Sequence, residues 1–361
     1  MPDLFDPIDL GAIAAPNRIA MAPLTRGRAS EDGVHGPLAV EYYRQRAEAG
    51  LIISEATGIS KGGLGWPYAP GLWTDAQVEG WKPVTEAVNQ AGGRIVAQLW
   101  HMGRLVHPDM GGGPPVSASA TTAPQQLHTF TGKQDAVEAR ALAVDEIPRV
   151  VGDYVRAAAN AIRAGFDGVQ VHGANGYLID QFIRDGANHR DDDYGGSAEN
   201  RCRLMREVCE AIGGEIGMDR TAIRLSPIGP VQGVDDSNPE ETFVTAARIL
   251  GEIGVPWIEM REPGENSSFA PADHARVSPA MRKVYPGKIG LNSDLDRASG
   301  QKLLDEGIAD FVAFGRPFIA NPDLVRRMRE DAPMNEPDRS TFYTRGPQGY
   351  VDYPQLEETR A

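Results

Sequence analysis

Cysteine is almost absent from this sequence of 361 residues, which contains only Cys202 and Cys209. The two lie seven positions apart in a segment of helical period. A helical rise of about 1.5 Å per residue separates them by about 10 Å, which is too far for a disulfide. Two thiols are also fewer than the roughly four that an iron–sulfur cluster usually requires. A disulfide scaffold and an iron–sulfur protein are therefore excluded, and we expect a reducing, cytoplasmic location.

Long apolar runs and excess positive charge are also missing. No run approaches the roughly 18 apolar residues of a membrane span, and the first residues lack the basic and apolar regions of a signal peptide. The 36 Lys and Arg against 50 Asp and Glu give a net charge of −14. This charge repels phosphate backbones and anionic membranes, so we expect neither nucleic acid nor a membrane as a partner. A phosphorylated cofactor is not excluded, because backbone N–H groups and one or two Arg form phosphate sites locally.

Short apolar runs rich in β-branched residues alternate with longer segments of helical period. This alternation indicates βαβ units and a parallel sheet. Eight repeats favour a closed TIM (β/α)8 barrel over an open doubly wound sheet, and the first run is not followed by a GxGxxG motif. The predicted strands are residues 18–24, 51–57, 94–100, 168–173, 222–227, 257–262, 288–293 and 311–316.

The whole chain, residues 1–361, is predicted to be one α/β domain with additions to the barrel. Residues 4–17 are predicted to form an N-terminal hairpin that caps the barrel floor. Residues 101–144, after the third strand, are rich in Gly, Pro, Ser and Thr and too long for a plain loop. We expect this insertion to be a partial lid on the catalytic face. Residues 332–361 are predicted to be a loop-like C-terminal tail.

The carboxyl ends of the strands are where a TIM barrel carries its catalytic residues. None of the predicted strands ends in Lys, which disfavours a Schiff-base aldolase. None offers a His-x-His pair and the carboxylates do not cluster, so we predict no metal site. The side chains present are hydrogen-bonding groups of mixed polarity, which suit a flat heterocycle with donors and acceptors on its edge. They are Thr25, Gln98, His172, Asn175, Arg224, Asn292 and Arg316.

Motifs along almost the whole chain resemble the old yellow enzyme family and occur in the family's order. Each motif is short, and the specificity comes from their number and order. They include Met21-Ala22-Pro23-Leu24-Thr25-Arg26, Gly50-Leu51-Ile52-Ile53-Ser54-Glu55-Ala56-Thr57, Gln98-Leu99-Trp100-His101, Gly176-Tyr177-Leu178, Asp193-Tyr194-Gly195-Gly196-Ser197 and Phe314-Gly315-Arg316-Pro317.

The resemblance implies FMN bound without covalent attachment at the barrel mouth. It implies that Thr25 hydrogen-bonds the flavin carbonyl beside N5, that Gln98 binds the pyrimidine edge, and that Arg224 lies near N1. The phosphate would be held by Arg316 and the backbone of Gly315. The remaining cofactor contacts implied are Pro23, Leu24, Ala56 and Asn292.

The resemblance also implies an ene-reductase that uses NADPH or NADH. Its partners would be small electron-poor alkenes, namely α,β-unsaturated carbonyl compounds or nitroalkenes, with nitrate esters and nitroaromatics as further acceptors. His172 and Asn175 would bind the activating oxygen, and Tyr177 would donate the proton. The walls of the substrate pocket would be Trp66, Trp100 and Tyr343.

Several positions depart from the pattern of many relatives. Some family members carry Cys in place of Thr25, and others carry His in place of Asn175. Around Asn292 many have a glycine-rich turn, so the phosphate contact there is open. The loop 263–275 also differs, so the substrate scope of the relatives is not carried over to this chain.

Two alternative functions remain, a flavin-free lyase or isomerase with His172 as base, and a barrel that only binds a ligand. A buried Arg224 could instead pair with Glu55 or Glu259, because an unpaired buried charge is costly. The natural substrate, the nicotinamide preference, the stereochemistry and the choice between monomer and homodimer are open.

Overall fold

The computed structural model of the protein describes residues 1–229, 231–263 and 275–356. The strands in these residues are, in chain order, β1 (Ile8–Leu10), β2 (Ile13–Ala15), β3 (Ile19–Met21), β4 (Leu51–Ile53), β5 (Thr57–Gly58), β6 (Ile95–Trp100), β7 (Val116–Ser117), β8 (Leu127–Thr129), β9 (Gly132–Gln134), β10 (Arg140–Ala141), β11 (Gly168–Gly173), β12 (Thr221–Leu225), β13 (Trp257–Arg261), β14 (Lys288–Asn292) and β15 (Phe311–Phe314). Eight of them are parallel and close into a barrel, in the order β3–β4–β6–β11–β12–β13–β14–β15 and back to β3.

Helices follow the barrel strands and cover the outside of the barrel, so the predicted TIM barrel is confirmed. The helices are α1 (Pro37–Arg44), α2 (Asp75–Gln90), α3 (Ile147–Arg163), α4 (Leu178–Ile183), α5 (Ala198–Arg201), α6 (Arg203–Ile216), α7 (Pro239–Glu252), α8 (Ser278–Arg282), α9 (Arg297–Asp305), α10 (Arg316–Ala320) and α11 (Leu324–Glu330).

Local sequence signals explain where several helices begin and end. The Thr74 side chain accepts a hydrogen bond from the backbone N–H of Gln77, and the Gln77 side chain accepts one from the backbone N–H of Thr74. This reciprocal pair is a capping box. The Ser197 hydroxyl caps α5 by accepting a hydrogen bond from the backbone N–H of Asn200, as expected of a Ser that directly precedes a helix. Gly165 and Gly217 follow α3 and α6 with positive φ, which a residue without Cβ adopts at little cost.

Inward-pointing side chains change from apolar at the barrel floor to polar at the carboxyl ends. Successive residues of a strand point to opposite faces. Trp257 of β13 therefore packs in the barrel interior, while Ile258 packs outward against the helices. The next inward residues on β13 are Glu259 and Arg261. The same alternation gives Gln98 and Trp100 on β6, Gln170 and His172 on β11, and Arg224 on β12.

The floor of the barrel is closed by the N-terminal hairpin of β1 and β2. Ile8, Leu10 and Ile13 of the hairpin form one buried cluster with inward residues of the barrel, Trp257 and Phe311 among them. Because the amino end of the barrel is filled in this manner, a ligand can enter only from the carboxyl end. The predicted hairpin cap is confirmed.

The predicted second strand is interrupted. Residues 51–57 form β4 and β5 with a break at 54–56. At the break the Ser54 hydroxyl donates to the Glu55 carbonyl at 2.9 Å, and the Glu55 carboxylate accepts from the Arg26 backbone N–H at 3.0 Å. The Glu55 side chain thus binds the loop after β3, while the Ser54 backbone N–H still donates to the Val96 carbonyl of β6 at 2.9 Å.

The insertion 101–144 is described throughout and contains the short strands β7–β10 and no α-helix. Its base is fixed to the barrel, since the Ser117 hydroxyl donates to Gln181 at 2.9 Å and the Arg104 guanidinium donates to the Gln232 carbonyl at 3.0 Å. The lid function of the insertion stays a prediction. Most of the divergent loop 263–275 and the last five residues of the predicted tail lie outside the described residues.

Neither a membrane span nor a metal cluster is found in the described part of the chain. None of its helices has the length and apolarity to cross a bilayer. None of its groups of His, Cys, Asp and Glu has the arrangement of a metal site. Cys202 and Cys209 are free and buried.

We expect Gly290→Ala to destabilise the protein, because the Phe311 ring lies against the Gly290 backbone inside the barrel. An added Cβ would lie 2.1 Å from Phe311 Cζ, and overpacking of this kind costs about 1–3 kcal/mol. Gly214→Ala in α6 is the control, because its Cβ meets nothing within 4 Å, and Ala stabilises a helix interior by about 0.5–1 kcal/mol over Gly. Urea denaturation of both variants measures the difference. Equal free energies of unfolding of the two variants would show that the Phe311 ring moves aside without loss of stability when Gly290 is replaced.

Candidate active site

A cavity of about 980 Å³ opens at the carboxyl ends of the barrel strands. This volume is near the upper end of the roughly 300–1,000 Å³ typical of ligand sites. Loops after β3, β14 and β15 form one side, and the ends of β12 and β13 form the floor. Of the residues predicted for the site, those that line the cavity are Pro23, Leu24, Thr25, Asn175, Arg224, Asn292, Gly315, Arg316 and Tyr343.

Three predicted residues form an aromatic group beside the cavity. The Tyr177 ring lies edge-on to Trp100 and to His172, with centroid distances of 4.9 and 4.8 Å. The Trp100 and His172 rings are nearly parallel at 6.3 Å. Trp100 and His172 follow from the inward parity of β6 and β11, and Tyr177 comes from the turn that precedes α4. The structure thus brings the predicted catalytic pair His172 and Tyr177 into contact.

The remaining predicted wall residue, Trp66, connects this group to the C-terminal tail. Its ring lies 5.4 Å from that of Tyr343 and 4.5 Å from that of His128 in the insertion. Trp66 also packs on an apolar cluster that contains Ala56 and Trp100. Tyr343 is 60% exposed, so it forms the rim of the cavity rather than a buried wall.

A chain of buried polar contacts crosses the barrel beneath the cavity. The Gln98 amide donates to Gln170 Oε1 at 2.7 Å, and the Gln170 amide donates to Glu259 Oε2 at 2.9 Å. The same Glu259 oxygen lies 3.4 Å from Arg224 Nε. Arg224 Nη2 in turn donates to Asn292 Oδ1 at 2.9 Å. Gln98, Arg224 and Asn292, three predicted cofactor contacts from three strands, therefore belong to one network.

This network includes an ion pair that the sequence left as an alternative. Arg224 pairs with Glu259 and not with Glu55, and both members of the pair are buried. The pair does not withdraw Arg224 from the cavity, because Arg224 also lines it.

The conformation of Asn175 leaves its amide NH2 as a donor. Its backbone N–H donates to Ser226 Oγ at 2.7 Å, and its φ of 58° is one that Asn tolerates better than most residues. The Arg261 guanidinium donates to Asn175 Oδ1 at 3.1 Å. A guanidinium can only donate, so the amide oxygen faces Arg261 and the NH2 group is directed elsewhere.

Burial keeps His172 and Tyr177 uncharged. Burial, together with the nearby Arg224 charge, lowers the pKa of His172 well below 6.5. Nδ1 of this neutral ring accepts the Ala174 backbone N–H at 3.4 Å, so the proton is on Nε2, which is a donor. Burial raises the pKa of Tyr177 to about 12, although a hydrogen bond from Gln232 opposes the rise. Both groups can therefore donate a hydrogen bond at neutral pH.

The loop that carries Thr25 is fixed from below by a buried carboxylate. Glu55 Oε2 accepts from the backbone N–H groups of Arg26 and Gly27 at 3.0 and 3.2 Å. Burial raises the pKa of Glu55 to about 7, and these two hydrogen bonds oppose the rise. His35 Nε2 lies 3.5 Å from the other carboxylate oxygen. The loop after β3 thus has a defined conformation at the cavity wall.

The same loop is fixed from above by the C-terminal tail. The Arg28 guanidinium donates to the carbonyl of Gly346 at 2.9 Å and to those of Thr341 and Gln348 at 3.0 Å. Arg26 Nη2 donates to the Gly349 carbonyl at 2.7 Å. The tail therefore contributes a wall to the cavity, including the rim residue Tyr343.

Some site residues had only weak sequence signals, or none. Arg261 lines the cavity. Gln170 lies two residues from the predicted His172, and Arg261 lies at the end of the sixth predicted strand, two residues from the inward-pointing Glu259, so parity alone could indicate both. Gln232 contacts both Tyr177 and Asn175 but comes from a loop, where no periodic signal exists. Arg316 forms an ion pair with Asp294, and its phosphate contact stays a prediction.

Comparison with known proteins relates the chain to flavin enzymes over nearly its full length. Residues 3–335 match the NADH:flavin oxidoreductase / NADH oxidase family. An old yellow enzyme homologue from Zymomonas mobilis is 55% identical with a TM-score of 0.97, covering 98% of this chain and all of that one. Morphinone reductase is 44% identical with a TM-score of 0.95, covering 100% and 98%. 12-oxophytodienoate reductase 2 from Arabidopsis thaliana is 41% identical, covering 99% and 96%.

We expect Arg28→Met to release the C-terminal tail without unfolding the barrel. The substitution keeps the apolar stem but removes the hydrogen bonds to four tail carbonyls, those of Thr341, Phe342, Gly346 and Gln348, and to Thr344 Oγ1. Amide exchange of residues 341–350 should accelerate by roughly tenfold, equivalent to about 1.4 kcal/mol of local stability. Arg44→Met is the control, because Arg44 pairs only with the exposed Glu41 among the contacts described. Unchanged exchange in the Arg28 variant would mean that other contacts hold the tail.

Proposed function

This chain belongs to the old yellow enzyme family of NADH:flavin oxidoreductases, and from that premise we propose that it is an FMN-dependent ene-reductase. It takes reducing equivalents from NADPH or NADH and reduces the activated C=C bonds of α,β-unsaturated carbonyl compounds or nitroalkenes. The observation that carries the proposal is a set of donors at and beside the cavity. Neutral His172 and the protonated Tyr177 are in ring contact beside it, and Asn175, which lines it, shares the neighbour Gln232 with Tyr177.

The cavity residues fit FMN. The donors and acceptors on its floor are of mixed polarity, as an isoalloxazine edge requires, and Arg224 supplies a fixed positive charge. Trp100 Nε1 and Arg224 Nε are buried without a hydrogen-bond partner among the described residues. Thr25, Gln98 and Arg224 would hold the isoalloxazine ring, and Gly315 and Arg316 would hold the phosphate. The other proposed contacts are Pro23, Leu24, Ala56 and Asn292.

Bound FMN would supply hydride chemistry, which no side chain of the protein can provide. The protein's own contribution is to bind and polarise the alkene. His172 Nε2–H and the Asn175 NH2 group donate hydrogen bonds to the carbonyl or nitro oxygen of the substrate. These hydrogen bonds strengthen as the oxygen gains negative charge, so they lower the barrier.

Tyr177 is the proposed proton donor to the α-carbon. Its hydroxyl is neutral at pH 7 and lies next to His172, and a general acid must be protonated and within reach of the substrate. Trp66, Trp100 and Tyr343 would exclude water from the substrate and set the shape of the pocket. Nitrate esters and nitroaromatics are further candidate acceptors.

Two features support an oxo or nitro compound as the substrate class. His172 Nε2–H and the Asn175 NH2 group are both left as donors, because His172 Nδ1 accepts from Ala174 and Asn175 Oδ1 accepts from Arg261, and an oxo or nitro oxygen is an acceptor for such donors. The names of the relatives morphinone reductase and 12-oxophytodienoate reductase 2 also describe reductases of oxo compounds. A flavin-free lyase or isomerase is set aside, because the chain belongs to a flavin oxidoreductase family.

We expect Tyr177→Phe to slow alkene reduction while leaving flavin reduction by NADPH unchanged. Loss of a general acid typically costs about 10²–10⁴-fold, and rapid-mixing measurement of the two half-reactions separates the steps. Tyr154→Phe is the matched control, because the Tyr154 hydroxyl is buried without a hydrogen-bond partner among the described residues. Unchanged turnover of the Tyr177 variant would remove this residue from the proton-transfer step.

We also expect the alkene half-reaction to show no loss of rate as pH rises from about 8 to about 11. An acid with a raised pKa keeps its proton to higher pH, and the pKa of Tyr177 is about 12. An ordinary phenol loses its proton near pH 10. Single-turnover rates with 2-cyclohexenone across this range measure the effect. A decline centred near pH 10 would contradict the buried state of the Tyr177 hydroxyl.

A further inference from the structure

The chain of polar contacts beneath the cavity contains a buried carboxylate without a role in the proposed reaction. Glu259 is fully buried at the middle of β13. Its neighbour across the sheet is Arg224 of β12, with which it is in register. On the other side, Gly290 of β14 is its partner in the sheet and has no side chain to offer. Arg224 is thus the only charged partner that the described contacts give to Glu259.

Only one of the two carboxylate oxygens is engaged. Oε2 accepts from Gln170 at 2.9 Å and faces Arg224 Nε at 3.4 Å. Oε1 is buried with no hydrogen-bond partner in the described residues. Burying an ionised carboxylate with one oxygen that lacks a hydrogen-bond partner costs folding free energy unless a nearby opposite charge compensates it. Burial raises the pKa of Glu259, and the permanently charged guanidinium of Arg224 and the hydrogen bond from Gln170 oppose the rise. The ion pair is therefore the contact that favours the ionised carboxylate.

We propose that Glu259 positions Gln98 and Arg224 through this network and lowers the reduction potential of bound FMN. The inference depends on the proposed function, since it concerns the flavin site. Arg224 alone would favour the reduced flavin, on which negative charge appears near N1. The Glu259 charge beside Arg224 offsets part of that field, and the low dielectric of the barrel interior preserves the effect. Gln170 transmits the position of the same carboxylate to Gln98 through two hydrogen bonds.

Because Glu259 Oε1 has no hydrogen-bond partner in the described residues, a conservative substitution of this residue can test the proposal. In Glu259→Gln the amide oxygen can take the place of Oε2 and keep both contacts, while the NH2 group takes the place of the unpartnered Oε1. The charge is removed and the shape is preserved. Glu259→Met is a second uncharged variant of similar length, for use if the glutamine variant is unstable.

The measurement is the two-electron reduction potential of bound FMN in the holoenzyme, by equilibration with a reference dye. Both uncharged variants should bind reduced FMN more tightly relative to oxidised FMN by about tenfold or more. This change corresponds to a positive shift of ~30 mV for a two-electron couple. A positional role without an electrostatic one would not move the potential in this direction in both variants.

Glu262→Gln is the matched control, a carboxylate-to-amide change at a buried position just after the same strand. Glu262 accepts hydrogen bonds from Val277 and Ser278, and no contact with Arg224 is described. We expect a smaller shift in this variant. An unchanged or lower potential on removal of Glu259, or an equal shift in the Glu262 variant, would overturn the inference while the ene-reductase function stood. Failure of the unmodified protein to bind FMN would overturn both.

Discussion

The structure depends on the closure of a parallel barrel whose interior changes polarity along its axis. A residue period of two points every second side chain of a strand into the barrel, where side chains from alternate strands stack in layers. At the floor these side chains are apolar and are sealed by the N-terminal hairpin. Toward the carboxyl ends the same parity places Gln98, Gln170, Arg224 and Glu259 inside. Each of them is buried and needs a partner, so the hydrogen bonds that satisfy them also fix the residues that face the cavity.

The loop that carries Thr25 forms part of the cavity wall and is held in one conformation by side chains from other segments. The Thr25 loop follows the short strand β3 and has no ladder of its own. Its backbone N–H groups are bound by Glu55 from below, and Arg28 joins it to the C-terminal tail above. Segments more than 300 residues apart thus form a single wall. The tail belongs to the site, because its release would remove the contacts of Arg26 and Arg28 above the loop and displace Tyr343, leaving Glu55 to hold the loop from below.

Much of this could be predicted from the sequence, for identifiable reasons. All eight barrel strands follow from apolar runs of β-branched residues, and the hairpin and the Ser197 cap follow from local patterns. The site residues follow from the rule that strand ends carry chemistry, with the family resemblance supplying their proposed roles. Contacts made across the barrel were harder to predict from the sequence. The choice of Glu259 over Glu55 as the partner of Arg224 depends on strand order and register, which the sequence alone does not encode locally. Gln232 reaches Tyr177 from a loop, and no periodicity predicts such a contact.

The central claim is that a bound flavin connects a nicotinamide donor to an electron-poor alkene. The most direct measurement is the visible absorption spectrum of the purified protein, recorded without oxygen before and after NADPH and then after 2-cyclohexenone. We expect flavin bands that bleach with NADPH, or with NADH if that is the donor, and return with the enone. A protein that stays colourless after reconstitution with FMN, or flavin bands that neither nicotinamide bleaches, would contradict the claim.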